Sequence, residues 1–299
     1  MSETIDICIC SFRRPSLEQA LESVAGQMLP AGIALRVIVA DNDETAANRA
    51  QVAAWGRRLG LDLVYVHAPA RNISIARNAC LDTATADWII FIDDDEVATP
   101  DWVARLLAAR QDHQVVFGVS QALFPDPATP RWIREGDFHS NRIGGNDAPW
   151  NGYTANVLID RRFAAARGLR FDLALGQIGG EDTMFFFEMD RAGARFGYAP
   201  DAVVLEDTTP ARATLGWLAR RRYRAGQVHH MLLQRASARP ITAGALAGVK
   251  AAACFGQAAL SLPRRGRMAH HLLRGMLHIG VVASTLGFAP YREYGAPRK

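Results

Sequence analysis

Only four of the 299 residues are cysteine, and only Lys250 and Lys299 are lysine. Four cysteines cannot staple a chain of this size into a disulfide scaffold. Cys8 and Cys10 share one face of a single strand, a poor geometry for bridging each other, so both are expected to be small core residues in a reducing cytoplasm. The net charge is only +4. With no extended basic face interleaved with aromatics and no recognisable binding module, the chain argues against nucleic acid as a partner. No basic segment followed by an apolar core opens the chain, so no export signal is expected. Internal repeats and low-complexity segments are also missing.

What is present is a chain that is 49% apolar, enough for a large core: one catalytic domain plus an appendage. The first half alternates strands with helices. Ile5–Cys10, Leu35–Ala40, Leu61–Val66 and Trp88–Ile92 read as strands. Helices are expected through about Gln27, up to about Leu59, and over Arg71–Thr83. This alternation implies crossover units and a largely parallel sheet. The middle is less regular, with loops at 125–130 and 144–152. A strand at Tyr153–Ile159, a short helix from Arg161, an apolar helix at Thr183–Ala192 and two short strands at Phe196–Tyr198 and Ala202–Leu205 follow. From about Arg212 long helices take over. Ile241–Leu262 and Ala269–Ala289 are each long enough to cross a bilayer, but their charges and small residues favour helices lying on or partly in one leaflet. A soluble helical hairpin is the competing reading. The expected division is a catalytic domain over 1–235 and a membrane-associating helical segment over 236–299.

Because 32 of the 34 basic residues are arginine, their clusters suit phosphates or an anionic membrane surface. The acids are more pointed. Asp93, Asp94 and Asp95 end the apolar run Trp88–Ile92, at the carboxyl end of a strand, where open α/β sheets place their ligands. Carboxylates so close repel one another unless a positive charge intervenes. Mg²⁺ or Mn²⁺ on one or two carboxylates supplies that charge and carries substrate phosphates as well. A solvated acidic turn is the plain alternative.

Together with Ser11-Phe12-Arg13-Arg14-Pro15, Val39-Ala40-Asp41-Asn42, Ala76-Arg77-Asn78 and Gly179-Gly180-Glu181-Asp182, the acids form an ordered series. It resembles the family-two inverting glycosyltransferases, and within them the bacterial enzymes that extend lipid-linked exopolysaccharide (succinoglycan-type) repeat units. The resemblance covers roughly residues 5–226. It implies an α/β GT-A fold with a central, mostly parallel mixed sheet, here followed by a C-terminal helical extension. It also implies a nucleotide-sugar donor, with uridine diphosphate as its nucleotide part, and a polyisoprenoid-linked saccharide acceptor at the cytoplasmic membrane surface.

The resemblance implies roles residue by residue. Asp41 would receive the uridine; a turn or helix-cap acid is its other reading. Ser11, Arg13, Arg77 and Gly180 would line the donor pocket, with an exposed helical arginine as the lesser reading of Arg77. Asn78 is expected to support the fold. Asp95 would hold the divalent ion, with Asp93 on ribose or the ion, and Asp94 between them would point elsewhere by strand alternation. Asp182 would be the general base, with Glu181 as runner-up, against the plain preference of acids for helix starts. Relatives often carry a histidine where this chain has Leu205-Glu206-Asp207, so Glu206 is a candidate metal ligand. Arg220, Arg221 and Arg224 are candidates for a diphosphate, the acceptor or the membrane, and otherwise form a solvated face. Trp150 and Tyr153 would stack on acceptor sugars or fill the core. His139, His229 and His230 lack ligand spacing and are read as non-catalytic. The activity expected is metal-dependent transfer of a sugar with inversion. A sugar nucleotidyltransferase competes poorly, because no Gly-rich phosphate loop follows the first strand. A non-catalytic membrane-associated sugar-binding or scaffold protein on the same fold is the other alternative.

Overall fold

The structure is a computed structural model in which residues 2–143, 152–236 and 240–291 are described. Its elements run β1 (Glu3–Ser11), α1 (Leu17–Ala25), β2 (Ile33–Asp41), α2 (Arg49–Leu59), β3 (Leu63–His67), α3 (Ile73–Thr83), β4 (Trp88–Asp93), β5 (Glu96–Ala98) and α4 (Trp102–Arg110). They continue with β6 (Val115–Leu123), α5 (Arg131–Gly136), β7 (Asn156–Asp160), α6 (Arg161–Ala166), α7 (Glu181–Arg191), β8 (Phe196–Asp207), α8 (Leu215–Arg235), α9 (Pro240–Leu260) and α10 (Arg265–Thr285). By compactness one unit holds Met1–Ala122 and Ser140–Asp207, and the other holds Leu123–His139 and Thr208–Arg292. The units therefore do not part at residue 235, because α8 groups with α9 and α10.

The first unit is built on one sheet with the strand order β3-β2-β1-β4-β7-β6-β8-β5. β3, β2, β1 and β4 are parallel, because each link between them is a crossover through a helix. β7 runs antiparallel to β4 and β6, and β5 antiparallel to β8. The sheet is thus mixed, parallel in the half where strands and helices alternate. Both faces are covered. Ile5, Ile7, Ile9, Val37, Val39 and Ile90 pack into one buried cluster, while Cys8, Ile38, Ala40, Ile89 and Phe91 pack into the other. Near-continuous apolar runs are what such doubly covered strands require.

Several boundaries differ from the sequence expectation for local reasons. α3 starts at Ile73, not Arg71, since the Asn72 side chain accepts from the Ser74 and Ile75 N–H groups and Arg71 sits at φ 47°. The two short strands expected near the end of this unit are one twelve-residue strand, β8, which passes through Pro200. The buried Asn156 carboxamide joins four segments: its Oδ1 accepts from Trp102 Nε1 at 2.8 Å, and its Nδ2 donates to the Val119 and Ala202 carbonyls at 3.0 and 2.9 Å. All four cysteines are free, with Cys8, Cys80 and Cys254 buried.

In the second unit α8 and α10 cross at glycine. A Cβ on Gly226 would lie 1.9 Å from the Leu277 carbonyl oxygen, and one on Gly280 equally close to that of Tyr223. α9 buries Ala247, Ala251, Cys254 and Ala258, one stripe at helical spacing, and exposes Leu246, Val249 and Leu260. Thr242–Leu260 is long and apolar enough to cross a membrane by length and composition, and only 28% of it is buried.

Candidate active site

Register brings the predicted strand-end residues onto one rim. Ser11 pairs with Asp41, Cys10 with Asp93 and Asp41 with His67. This is the carboxyl edge of the parallel half, where each strand hands over to a loop.

At the β1–β2 end, Asp41 is buried and both its oxygens are engaged. Tyr65 Oη donates to Oδ2 at 2.6 Å and the Asp43 N–H to Oδ1 at 3.0 Å. Burial, and then the bond to Asp41, raise the Tyr65 phenol above its ordinary pKa. Arg13 grips Asp43 with two bonds of 2.7 Å. That fork holds the Asp43 carboxyl below its usual range. Arg71 lies 2.9 Å from Glu44, and both Arg13 and Arg71 lie over the Phe12 ring, at 5.4 and 5.6 Å. A partly exposed aromatic face flanked by guanidinium groups can receive a flat ring beside an anion. Arg71 was not singled out from the sequence; its φ of 47° is a backbone signal that appears only in the fold.

The acids follow on β4 and the turn to β5. Asp94 is buried, and its ionised form is favoured by Arg14, the Ser11 hydroxyl and the Phe12 N–H, yet burial lifts it to about 6. Burial also lifts Asp93, to about 7; Arg77 opposes the rise, and Asp95, Asp94 and Glu206 add to it by repulsion. Arg14, quoted in the sequence motif but given no role there, donates to Asp95 and lies 3.6 Å from Asp94. Alternation therefore separates Asp94 from Asp95 less than expected, since one guanidinium serves both. Glu96 is buried, accepts from Ser120 Oγ at 2.6 Å, and stands opposite Glu206 in the β5–β8 register. Glu206 thus belongs to this group of acids although it arrives more than a hundred residues later. The donor set is carboxylate oxygen throughout, and an arginine already rests on Asp95, so the residues fit a hard divalent cation. Among the described residues no three His, Cys, Asp or Glu side chains already surround one point.

The third component is α7. Gly179 and Gly180 take φ values of 92° and 87°, which only glycine adopts without strain, and they turn the chain sharply into the helix. Glu181 at the first position is buried against Arg77, while Asp182 remains partly exposed and accepts from the Thr183 N–H at 2.7 Å. Burial raises the Glu181 carboxyl despite Arg77. Arg77 is itself buried, with its guanidinium 5.6 Å from the Phe171 ring centroid. Glu181, Asp182 and Asp93 all favour its charge, so one guanidinium lies within electrostatic reach of β4 and α7 alike. The exposed-helix reading of Arg77 is therefore wrong, and its carboxylate partner is Glu181. Asn78 exchanges two bonds with the Phe171 backbone, at 2.9 and 3.0 Å, a structural role as expected.

Other candidates belong to the second unit or fall outside the described residues. Arg220, Arg221 and Arg224 are on α8 in the second unit, where Arg221 lies over the Trp217 ring at 5.5 Å. His139 stacks on Trp217 at 5.4 Å and its Nε2 lies 3.1 Å from the Arg212 carbonyl. Trp150 lies outside the described residues.

With this geometry in view, the comparisons with known proteins fall into line. The model of "Glycosyl transferase family 2" matches residues 6–167. The succinoglycan biosynthesis protein ExoM of Rhizobium meliloti (strain 1021) is 43% identical over 297 residues, covering 98% of this chain and 96% of that protein. The chain belongs to glycosyl transferase family 2. A glucosyl-dolichyl phosphate glucuronosyltransferase of Haloferax volcanii is 30% identical over 130 residues, 42% of this chain and 39% of the relative. Among solved structures, the Pyrobaculum calidifontis mannosyltransferase PcManGT, in complex with GDP-Man and Mn²⁺, superposes with a TM-score of 0.61 at 20% identity, covering 93% of this chain and 87% of that one. Staphylococcus aureus TarS 1–349 in complex with UDP-GlcNAc gives 0.56 at 12% identity with full coverage of both chains. At such identities these structures establish the GT-A fold. The family establishes a glycosyltransferase.

Proposed function

We propose that this glycosyltransferase moves a sugar, with inversion, from a uridine diphosphate sugar to a polyisoprenoid-linked saccharide during assembly of an exopolysaccharide or related cell-surface glycan. The observation that carries this reading is the set of acids on β4 and α7 that share Arg77 at the carboxyl edge of the sheet. The likeness to ExoM along nearly the whole chain supports the polysaccharide setting.

The roles follow from chemistry. Asp41 and its neighbours receive the nucleoside. Asp182 removes the proton from the acceptor hydroxyl as that oxygen attacks the anomeric carbon. The carbon–oxygen bond to the nucleoside diphosphate breaks on the opposite face, and the electron pair leaves with the phosphate. Arg77, tied to Glu181, keeps α7 set against the acid strand. A divalent cation held by Asp95 and Asp93, with Glu206 nearby, would supply Lewis-acid stabilisation of the departing diphosphate. The protein works at the cytoplasmic face of the membrane, with the exposed apolar side of α9 against the lipid.

Purified full-length protein, offered a panel of nucleotide sugars with Mn²⁺ or Mg²⁺, tests this. Asp182→Asn is expected to keep donor binding and lose transfer by roughly a hundredfold or more. Asp95→Asn is expected to lose the dependence on divalent ion together with turnover. Unchanged turnover in the first variant moves the base elsewhere, and full activity in excess chelator removes the cation.

A further inference from the structure

The second unit contains a cavity of about 660 Å³ lined by residues of α5 and the start of α10 together with Phe138. That is within the roughly 300–1,000 Å³ usual for small-molecule sites. None of its residues belongs to the acid rim or to the roles above. Its lining has two chemical characters. Trp132 and Phe138, with ring centroids 5.9 Å apart, supply an aromatic wall. Arg265 and Arg267 supply positive charge, and Arg131 adds more. The one acid in the lining, Glu135, already accepts from Arg131 at 2.6 Å. Among the described residues no carboxylate pairs with Arg265 or Arg267. His270 titrates below its ordinary range, chiefly through burial and then because His271, Arg274 and Arg222 repel its proton, so the positive field extends behind the lining.

The wall is firmly supported. Phe138, Leu218, Ala269 and Leu273 form a buried cluster beneath it, with Trp132 packed against them. A diphosphate anion suits the arginine forks, and an apolar chain suits the aromatic wall. Neither a free phosphate nor a plain hydrocarbon would use both.

We propose that this cavity binds the phosphate end of an isoprenoid-type lipid diphosphate, with Arg265 and Arg267 on the phosphates and Trp132 and Phe138 along the first isoprene units. This rests on the proposed function, whose acceptor is lipid-linked. Arg265 and Arg267 provide affinity, not catalysis.

The test uses full-length protein and farnesyl diphosphate as a soluble probe, followed by tryptophan fluorescence and calorimetry. Farnesyl diphosphate is expected to bind at least tenfold more tightly than inorganic diphosphate or farnesol. Arg265→Gln with Arg267→Gln should weaken it at least tenfold. Gly266→Leu is a second, charge-neutral variant. Nothing lies within 4 Å of a Cβ built there, so the leucine enters open space at the cavity edge and should weaken the probe without unfolding the protein. Equal binding of inorganic diphosphate, or unchanged probe affinity in both variants, overturns the site. Loss of binding to phosphatidylglycerol-containing vesicles with unchanged farnesyl diphosphate affinity also overturns it, reassigning the arginines to bilayer headgroups. Nucleotide-sugar binding measured on the same samples separates the two readings. If the wild-type chain binds no nucleotide sugar, the proposed function has failed; if it does and the probe result is negative, only this inference has.

Discussion

The Arg77 and Glu181 side chains are 9% and 6% exposed, so removing either leaves the other charged in a nearly dry place. Breaking such a pair typically costs about 3–5 kcal/mol, whereas replacing both partners by apolar groups is often close to neutral. Arg77→Met should therefore lower the urea midpoint sharply, and Arg77→Met combined with Glu181→Met should recover much of it. If Arg77 also orders Asp93 and Asp182, transfer stays depressed in the recovered double variant. Full activity there would reduce the pair to scaffolding. Asp6 shows the opposite electrostatic outcome. Burial opposes its ionisation, but two bonds from Arg36 at 2.7 Å, with the Ala86 and Thr85 N–H groups, outweigh that and depress its pKa. Its folded carboxyl holds a proton less readily than the unfolded one. The stabilisation is therefore complete above the unfolded value of about 4 and is lost as pH falls through the folded value. Asp6→Asn should flatten the acid limb of stability below pH 4, read as urea midpoints across pH 2.5–6; an unchanged limb assigns acid sensitivity to other carboxylates.

At the scale of elements, the α8–α10 crossing has no room to give. The atoms a Gly226 Cβ would meet are backbone atoms, the Leu277 carbonyl and the Gly280 Cα, which cannot rotate away as a side chain can. Gly226→Val should push the helices apart at a cost of at least about 1–3 kcal/mol. Thermal unfolding of the full chain checks this, and an unchanged transition would mean the helices separate freely. Because α8 uses α10 in this way, deleting the chain beyond residue 239 would expose α8 as well as remove α9, so truncation is a blunt test of membrane attachment.

At the scale of the whole molecule, α9 offers a cleaner one. Its buried stripe of small residues already has α10 as partner, while Leu246 and Val249 point outward at 55% and 68% exposure. Exposed substitutions of this kind usually change stability by less than about 0.5 kcal/mol. Leu246→Glu with Val249→Glu should leave the fold and donor binding intact while reducing co-sedimentation with anionic vesicles several-fold. Equal sedimentation would place the lipid contact on another surface.

Much of this protein was legible in its residues because the informative signals were local. Strand and helix periods between residues 5 and 92 specified the parallel half of the sheet, and Asp41, Asp93 and Gly179-Gly180 marked chain reversals at its rim. β6 and β5 were not read, since Val115–Leu123 carries no flanking signal distinctive enough and Glu96–Ala98 is too short to show a period. Pairings across long separations were invisible for a different reason: nothing in Glu181 names Arg77, and nothing in Glu206 names Glu96. Those contacts exist because the sheet order brings β8 beside β5 and the Gly-Gly turn aims α7 at α3. Asp93-Asp94-Asp95 was thus determined by sequence as a strand-end acid cluster. Which cation each acid meets, Arg14 or Arg77, and how far burial raises it, was decided only when distant strands closed around it.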